Sequence, residues 1–311
     1  MPVSPSLTKG TSTFADAMTV NDIYTAVETI GQQVIENATA VNPLSDFDKG
    51  YLERGTVVEK ICMELTASVA HDPNTAAVVP VDYPDVKVLY LNDWTAKDFY
   101  ASVNDTEARA ILAGENTLEA IATRTVSILS ESEVAENFVD YKALFREFAT
   151  NSEWHNEAQI ITGVTGNIAL IKQIRDLISA FRFTNATYSA AEYSHRTPME
   201  NIRIVLPYTV MNGLDIESYA YMFNMSKADL LAKIIETDEA PNEDGTYNVY
   251  VTDIRTFGKW MRNRSLMSDY SLPANAMTYK LNVYEMFAYV NLFKAACIKF
   301  TPATEALTDE V

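Results

Sequence analysis

The strongest constraint on this chain is a pair of extended segments with nothing foldable between them. Thr56–Leu65, TVVEKICMEL, alternates roughly, with Val57, Ile61, Met63 and Leu65 on one side of a strand. Val86–Val103, VKVLYLNDWTAKDFYASV, is a second β-rich run. Between them lies AHDPNTAAVVPVDYPD, whose Pro73, Pro80 and Pro84 mark a loop. The three pieces predict a long hairpin-like excursion. A two-stranded ribbon is not stable alone in water, so this one needs something else to lie on.

Helices dominate elsewhere. Residues 1–18 are polar and read as an arm, and Val20–Ala38 follows with Ile23, Val27, Ile30, Val34 and Ile35 on one helical face, ended at Pro43. Asn116 and Glu119 resemble a capping box ahead of Leu118, Ile121, Ala122, Thr125, Ile128 and Leu129. Val134, Phe138, Tyr141, Phe145 and Phe148 then step by fours and threes, a long buried stripe. Ile168–Phe181 predicts a further helix through Ile168, Ile171, Ile174, Ile178 and Phe181. Asn201–Pro207 reads as a strand.

The stretch LDIESYAYMFNMSKADLLAKII, Leu214–Ile235, reads as two short helices. Asp215 caps the first, which buries Ile216, Tyr219, Ala220 and Phe223; Asn224 ends it. Ser226 and Asp229 begin the second, which buries Leu230, Leu231, Ile234 and Ile235. NEDG at Asn242–Gly245 is a turn leading into the strand YNVYVTD, and Leu281–Ile298 leans to strands. The tail TPATEALTDEV is acidic. Helices and strands interleave without regular βαβ alternation, which gives an α+β class.

The 311 residues suffice for one large or two modest domains. A 48% hydrophobic content is that of a folded chain. The 42 acidic against 24 basic residues leave a net charge of −18. Nucleic-acid affinity comes largely from cations displacing phosphate counterions, so general nucleic-acid binding is disfavoured, as is an anionic membrane surface. The N-terminus has no apolar signal-peptide core and no run of about 18 apolar residues occurs, so a cytoplasmic origin is expected. Cys62 and Cys297 lie far apart in apolar stretches and read as two buried thiols.

Chemistry is hard to place. His71, His155 and His195 have no second ligand at metal spacing, and HNE at 155–157 lacks the second His of a zincin helix. Gly163–Asn167, GVTGN, lacks the Lys-Ser/Thr of a P-loop and reads as a loop and cap. Asp46–Gly50, DFDKG, starts like a calcium loop, but Val57 stands where the closing Glu belongs, so a plain turn is expected. No GxSxG elbow occurs. No catalytic, cofactor-binding or metal residue is nominated, and no enzyme activity is expected.

Three segments taken together carry a family resemblance. They are NPLSDFDKGYLERGTVVEKI (Asn42–Ile61) with AHDPN after it, PDVKVLYLNDWTAKDFYASVNDTEARAI (Pro84–Ile111), and LDIESYAYMFNMSKADLLAKIIETDE followed by LNVYEMFAYVNLFKAA (Leu281–Ala296). In this order and spacing the chain, from about residue 20 to 300, resembles the major capsid proteins of phi29-like, short-tailed phages of Gram-positive hosts. Their shells have the HK97 fold. The last segment departs from the pattern: Asn282 stands where the family tends to have His and Tyr284 where it has Trp.

The resemblance implies an N-terminal arm over 1–50 and an E-loop over 51–105 that lies on a neighbouring subunit. It implies a peripheral domain with a spine helix over 106–165 and 276–311, and an axial domain over 166–275. It implies a virion protein that self-assembles into hexamers and pentamers and forms an icosahedral head around double-stranded DNA. The implied partners are a portal at one vertex and a separate scaffolding protein, since the chain has no room for a long fused scaffold. No membrane is involved, and assembly occurs in the host bacterial cytoplasm. Two alternatives stay open: a cellular nanocompartment shell of the same fold, and an acid hydrolase using paired carboxylates, which would need a deep pocket and a carboxyl of raised pKa.

Overall fold

In a computed structural model the described residues are 39–53, 57–66, 68, 83–104, 116–214, 233–271, 273 and 276–302. The arm, the Val20–Ala38 helix, the Pro-rich tip with His71, most of the Leu214–Ile235 helix pair and the acidic tail lie outside them. So do the side chains of the Asn116 cap.

The chain divides into two compact units. The larger draws on Ala40–Asp98, Ser132–Ser265 and the chain from Asn282 on; the smaller draws on Phe99–Glu131 and Leu266–Leu281. Strands β9 (Phe257–Ser271), β10 (Ala276–Tyr289) and β4 (Thr95–Asn104) each contribute residues to both units, and they form a four-stranded sheet with β1 (Asp48–Tyr51) in the order β1-β9-β10-β4. Within the smaller unit, Ser102 and Thr278 share a hydroxyl hydrogen bond of 2.8 Å and the Lys280 ammonium lies over the Tyr100 ring.

The centre of the larger unit is a five-stranded mixed sheet, β5-β11-β8-β6-β7. Its strands are Ile160–Thr165 (β5), Ala295–Thr301 (β11), Tyr247–Asp253 (β8), Ile202–Pro207 (β6) and Ile234–Thr237 (β7). β11 runs parallel to β5 and antiparallel to β8, with Cys297 opposite Tyr250. β6 is antiparallel to β8 and parallel to β7, with Ile204 opposite Ile234. Helices cover both faces, so these strands are nearly continuous apolar runs rather than alternating ones. On one face Ile204, Leu206, Val249, Val251, Ala296 and Ile298 meet the helix Asn167–Arg182 (α2) through Leu170, Ile174, Leu177 and Phe181. On the other, Val205, Ile235, Tyr250 and Cys297 meet Tyr141, Phe145 and Phe148.

Those aromatics sit on one helix, Asn116–Thr150 (α1), into which the two predicted helical patterns merge. At about 1.5 Å per residue it is on the order of 50 Å long. Its buried row is not quite the predicted stripe. Val134 and Phe138 are half-buried, whereas Glu133 and Asn137 are buried, four residues apart in line with Tyr141 and Phe145. Glu133 is tolerated there because Arg264 Nε donates to it at 2.8 Å. In α2, Ile168 proves 85% exposed, in the first turn and off the buried face.

Further expectations are corrected. Ile234 and Ile235 belong to strand β7, not to a helix, because their amides and carbonyls pair with β6. The GVT of GVTGN is the end of β5, and only Gly166 acts as the cap of α2. DFDKG is split between a 3-10 turn over Pro43–Phe47, capped by Asn42, and strand β1. The run Val86–Val103 is two strands serving different sheets, β3 (Val86–Leu91) and β4. Cys297 is buried, but Cys62 is only half-buried; both thiols are free. The NEDG turn holds: Gly245 takes φ 78°, a left-handed conformation that favours glycine, and its amide donates to the Asn242 carbonyl.

Phe257 is the junction of the aromatic core. Its ring lies 4.2 Å from Phe145, 5.6 Å from Phe148, 5.5 Å from Tyr289 and 6.3 Å from Phe47, centroid to centroid. Truncating it removes all four contacts at a fully buried site. Phe257→Ala is expected to destabilise the chain by about 3–5 kcal/mol, read as a lowered urea midpoint.

Candidate functional site

His155, Asp46 and Asp48 lie scattered through the fold as structural pieces. His155 Nδ1 lies 2.8 Å from the Phe148 carbonyl, closing the end of α1. Asp46 accepts from Arg203 Nε at 2.8 Å, and Asp48 accepts from the Tyr141 hydroxyl at 2.7 Å, so these two carboxylates of DFDKG serve different partners. Burial raises the Glu239 carboxyl above its usual range. Its ion-pair neighbour is Arg146, at 3.6 Å.

The ribbon is the feature with a surface to offer. β2 (Val58–Met63) pairs antiparallel with β3, with Glu59 opposite Tyr90, Ile61 opposite Val88 and Met63 opposite Val86. The pleat sends alternate side chains to opposite faces. One face, through Val58, Cys62, Leu89 and Leu91, packs on Trp260, Met286, Val290 and Phe293 of the same chain. Gly258 belongs to this seat, since a Cβ there would fall 2.6 Å from the Trp260 ring. The expected need for a support is thus met on one side by the chain itself. The other face is bare: Ile61 is 55% exposed, Met63 63%, Val88 45% and Tyr90 65%. Leu65, just beyond, is exposed as well. A contiguous apolar strip of this kind marks an interaction surface. Sequence alternation gave the strip, but not which of the two faces the chain would cover.

Where β4 leaves the ribbon, a buried charge cluster ties the strands to α1. Glu285, 1% exposed, lies 3.3 Å from Lys97 Nζ and 3.2 Å from Lys259 Nζ. Lys97 also pairs with Asp140 of α1. Burial alone would lower the Lys97 ammonium, but Asp140 and Glu285 outweigh it and raise the group above its ordinary range.

A family model of the Phi29-like phage major capsid protein matches residues 7–299. The chain belongs to this family. Relatives include the major capsid protein of Bacillus phage GA-1, 26% identical over 239 residues, covering 74% of this chain and 50% of the relative. That of Bacillus phage PZA is 20% identical over 226 residues, covering 70% and 50%. The chain thus spans about half the length of the curated relatives it matches. Among solved structures, the capsid of Staphylococcus phage Andhra superposes with a TM-score of 0.74 at 13% identity, covering 87% of both chains. A chain in the structure of the head fibre and inner core protein of native bacteriophage P68 gives 0.64 at 11% identity, covering 86% of this chain and 87% of that one. The fold is therefore the HK97-like capsid fold, as the sequence resemblance implied.

In this member of the family the two departures from the family pattern lie side by side. Asn282 Nδ2 donates to Asp98 Oδ1 at 2.6 Å. Tyr284 stacks on Trp94 with ring planes 6° apart, and the Arg262 guanidinium lies 4.0 Å over Trp94. Arg262, Asn263, Asn282 and Tyr284 line a cavity of about 300 Å³.

Two lysines, Lys49 half-buried and Lys294 fully buried, give the chain a pH signature. Lys49 donates to the Ile254 carbonyl and Lys294 to the Phe181 and Phe183 carbonyls. Burial pushes both ammonium groups down to about 8 from an ordinary 10.5. Between those values the unfolded chain binds more protons than the folded one, so stability rises with pH. The Cys297 thiol, raised by burial, opposes this from about pH 9, and burial likewise raises Tyr141, Tyr250 and Tyr289; all four ionise more easily when unfolded, so the trend reverses below about pH 10. The urea midpoint is expected to climb from about pH 8 to about pH 9.5 and then fall; a midpoint that falls from about pH 8 onward would contradict this assignment.

Proposed function

We propose that this chain is the building block of an icosahedral phage head, self-assembling into hexamers and pentamers around double-stranded DNA. The observation that carries the reading is the bare apolar face of the β2–β3 ribbon. Its inner face is seated on its own chain, and its outer face, Glu59 apart, is apolar and exposed. A second copy of the chain supplies the missing cover. The ribbon is then the E-loop, taken as 51–105, laid over a neighbour. α1 is the spine of a peripheral domain, 106–165 with 276–311; the axial domain is 166–275 and the arm is 1–50.

Family membership implies a structural component of the virion. Further partners follow from that role: a portal at one vertex, a separate scaffolding protein, and packaged DNA bound without sequence preference. Assembly would take place in the host bacterial cytoplasm. A net charge of −18 suits a wall past which packed DNA slides without sticking.

Charged substitutions on the bare face test the reading. Ile61→Asp with Val88→Asp is expected to leave the far-ultraviolet spectrum and thermal midpoint nearly unchanged while abolishing shells, tubes and capsomer rings in electron micrographs. A parent chain that remains monomeric at every concentration, with and without a scaffold, would overturn it.

A further inference from the structure

A cleft of about 460 Å³ opens where the end of β2 passes the loop that follows α2. Its walls are of two kinds. Met63, Leu65, Tyr193 and Phe293 supply apolar surface, and His195, Arg196 and Arg255 supply polar groups. The loop has little regular structure but is firmly tied. Gln159 Nε2 donates to the Tyr188 and Ala295 carbonyls, and the buried Ser189 hydroxyl donates to the Asn291 and Leu292 carbonyls.

The polar groups are unequally satisfied. Arg255 donates from Nε and Nη2 to the two oxygens of the fully buried Asp253, at 2.9 and 2.6 Å, and its guanidinium lies 4.3 Å over Phe293. Asp253 therefore neutralises it. Arg196 is exposed and has no ion pair or hydrogen bond among the described residues. His195 is 9% exposed; its Nδ1 donates to the Tyr193 carbonyl at 3.1 Å, and its Nε2 has no partner. With the proton on Nδ1, Nε2 is a lone-pair acceptor. A buried polar atom left unpaired is costly, so this orphan just behind the cleft lining leaves the polar wall incompletely satisfied.

We propose that this cleft receives an aspartate or glutamate side chain, with an apolar residue beside it, from a second copy of the chain. The guanidinium of Arg196, backed by that of Arg255, takes the carboxylate, for which a planar fork of donors is suited. The apolar neighbour settles against Met63, Leu65 and Tyr193. Two observations favour a second copy as the source. The chain carries 42 acids against 24 bases, so a neighbouring copy presents carboxylates far more often than cations. Met63 and Leu65 also belong to the exposed apolar strip of the ribbon, so the cleft continues the surface already assigned to a neighbour. The inference rests on that assignment and adds the chemistry of the contact.

The test uses the full chain. Arg196→Glu lies on an exposed side chain and leaves the core untouched; it is expected to raise the concentration needed for assembly by about tenfold or more, with the thermal midpoint unchanged. Arg196→Lys keeps the charge and is expected to assemble. In that variant, zero-length carbodiimide coupling joins the amine at position 196 to any carboxylate it touches, with loss of water. Mixing copies of ordinary and nitrogen-15 chain before coupling tells a bond between copies from one within a copy. An amide between copies, on an Asp or Glu with an apolar neighbour and formed only in the assembled state, is the expected result. Normal assembly of Arg196→Glu, coupling within one copy, coupling to a scaffold chain, or assembly without coupling would each overturn the inference while leaving the shell reading intact. Failure of the parent chain to assemble would instead remove the shell reading, and this inference with it.

Discussion

The architecture of the larger unit depends on the aromatic contacts around Phe257. Phe47, Phe145, Phe148, Phe257 and Tyr289 come from four separate regions of the chain, yet their rings meet in one buried cluster. Each pair contributes about 0.5–1.5 kcal/mol beyond simple burial. The geometry matters as much as the energy. With Phe257 fixed, the start of β9, the end of β10, the last turns of α1 and the turn before β1 have a common origin. The five-stranded sheet then has a second helix to face and can bury both sides.

Polar groups do the finer positioning. Glu285 is enclosed by two ammonium groups, an arrangement whose value lies in geometry, since a buried ion pair gains little over an apolar one. It fixes where β4 departs from the ribbon and how α1 is registered against β9 and β10. Gln159, Ser189 and Lys294 do the same for the irregular loop after α2, reaching backbone carbonyls that would otherwise be buried without donors.

Elements that carry their own helical period or turn signal were more legible than elements defined by pairing with distant strands. α2 was readable because its apolar residues recur at helical spacing, although Ile168 lies in the first turn, off the covered face. The strand YNVYVTD was readable because a turn with a left-handed glycine introduces it. Ile234 and Ile235 were misassigned because an apolar pair following a helical pattern looks like its continuation; only parallel pairing with β6 makes it a strand. β5 and β9 were missed, the first because Gly163 and Gly166 imitate a loop, the second because FGKWMRNRSLMSDYS is mostly polar over its length. The row through Glu133 and Asn137 of α1 was hidden because polar residues do not announce burial; the partner of Glu133, Arg264, lies more than a hundred positions away. The cleft was not legible at all. His195, Arg196 and Arg255 acquire their relation only when β8, β10 and the loop after α2 converge.

The bare strip of the ribbon has a thermal consequence. Apolar surface that leaves water near room temperature is driven by entropy, and the drive fades on cooling. A seam built on Ile61, Met63, Val88 and Tyr90 would therefore grip more firmly in warmth than in the cold, and its formation would carry a negative heat-capacity change. The carboxylate–guanidinium contact beside it follows a different law, weakening with salt rather than with cold. Two adjoining patches, one on the ribbon and one on the loop beside it, thus answer to two separate properties of the surrounding solution.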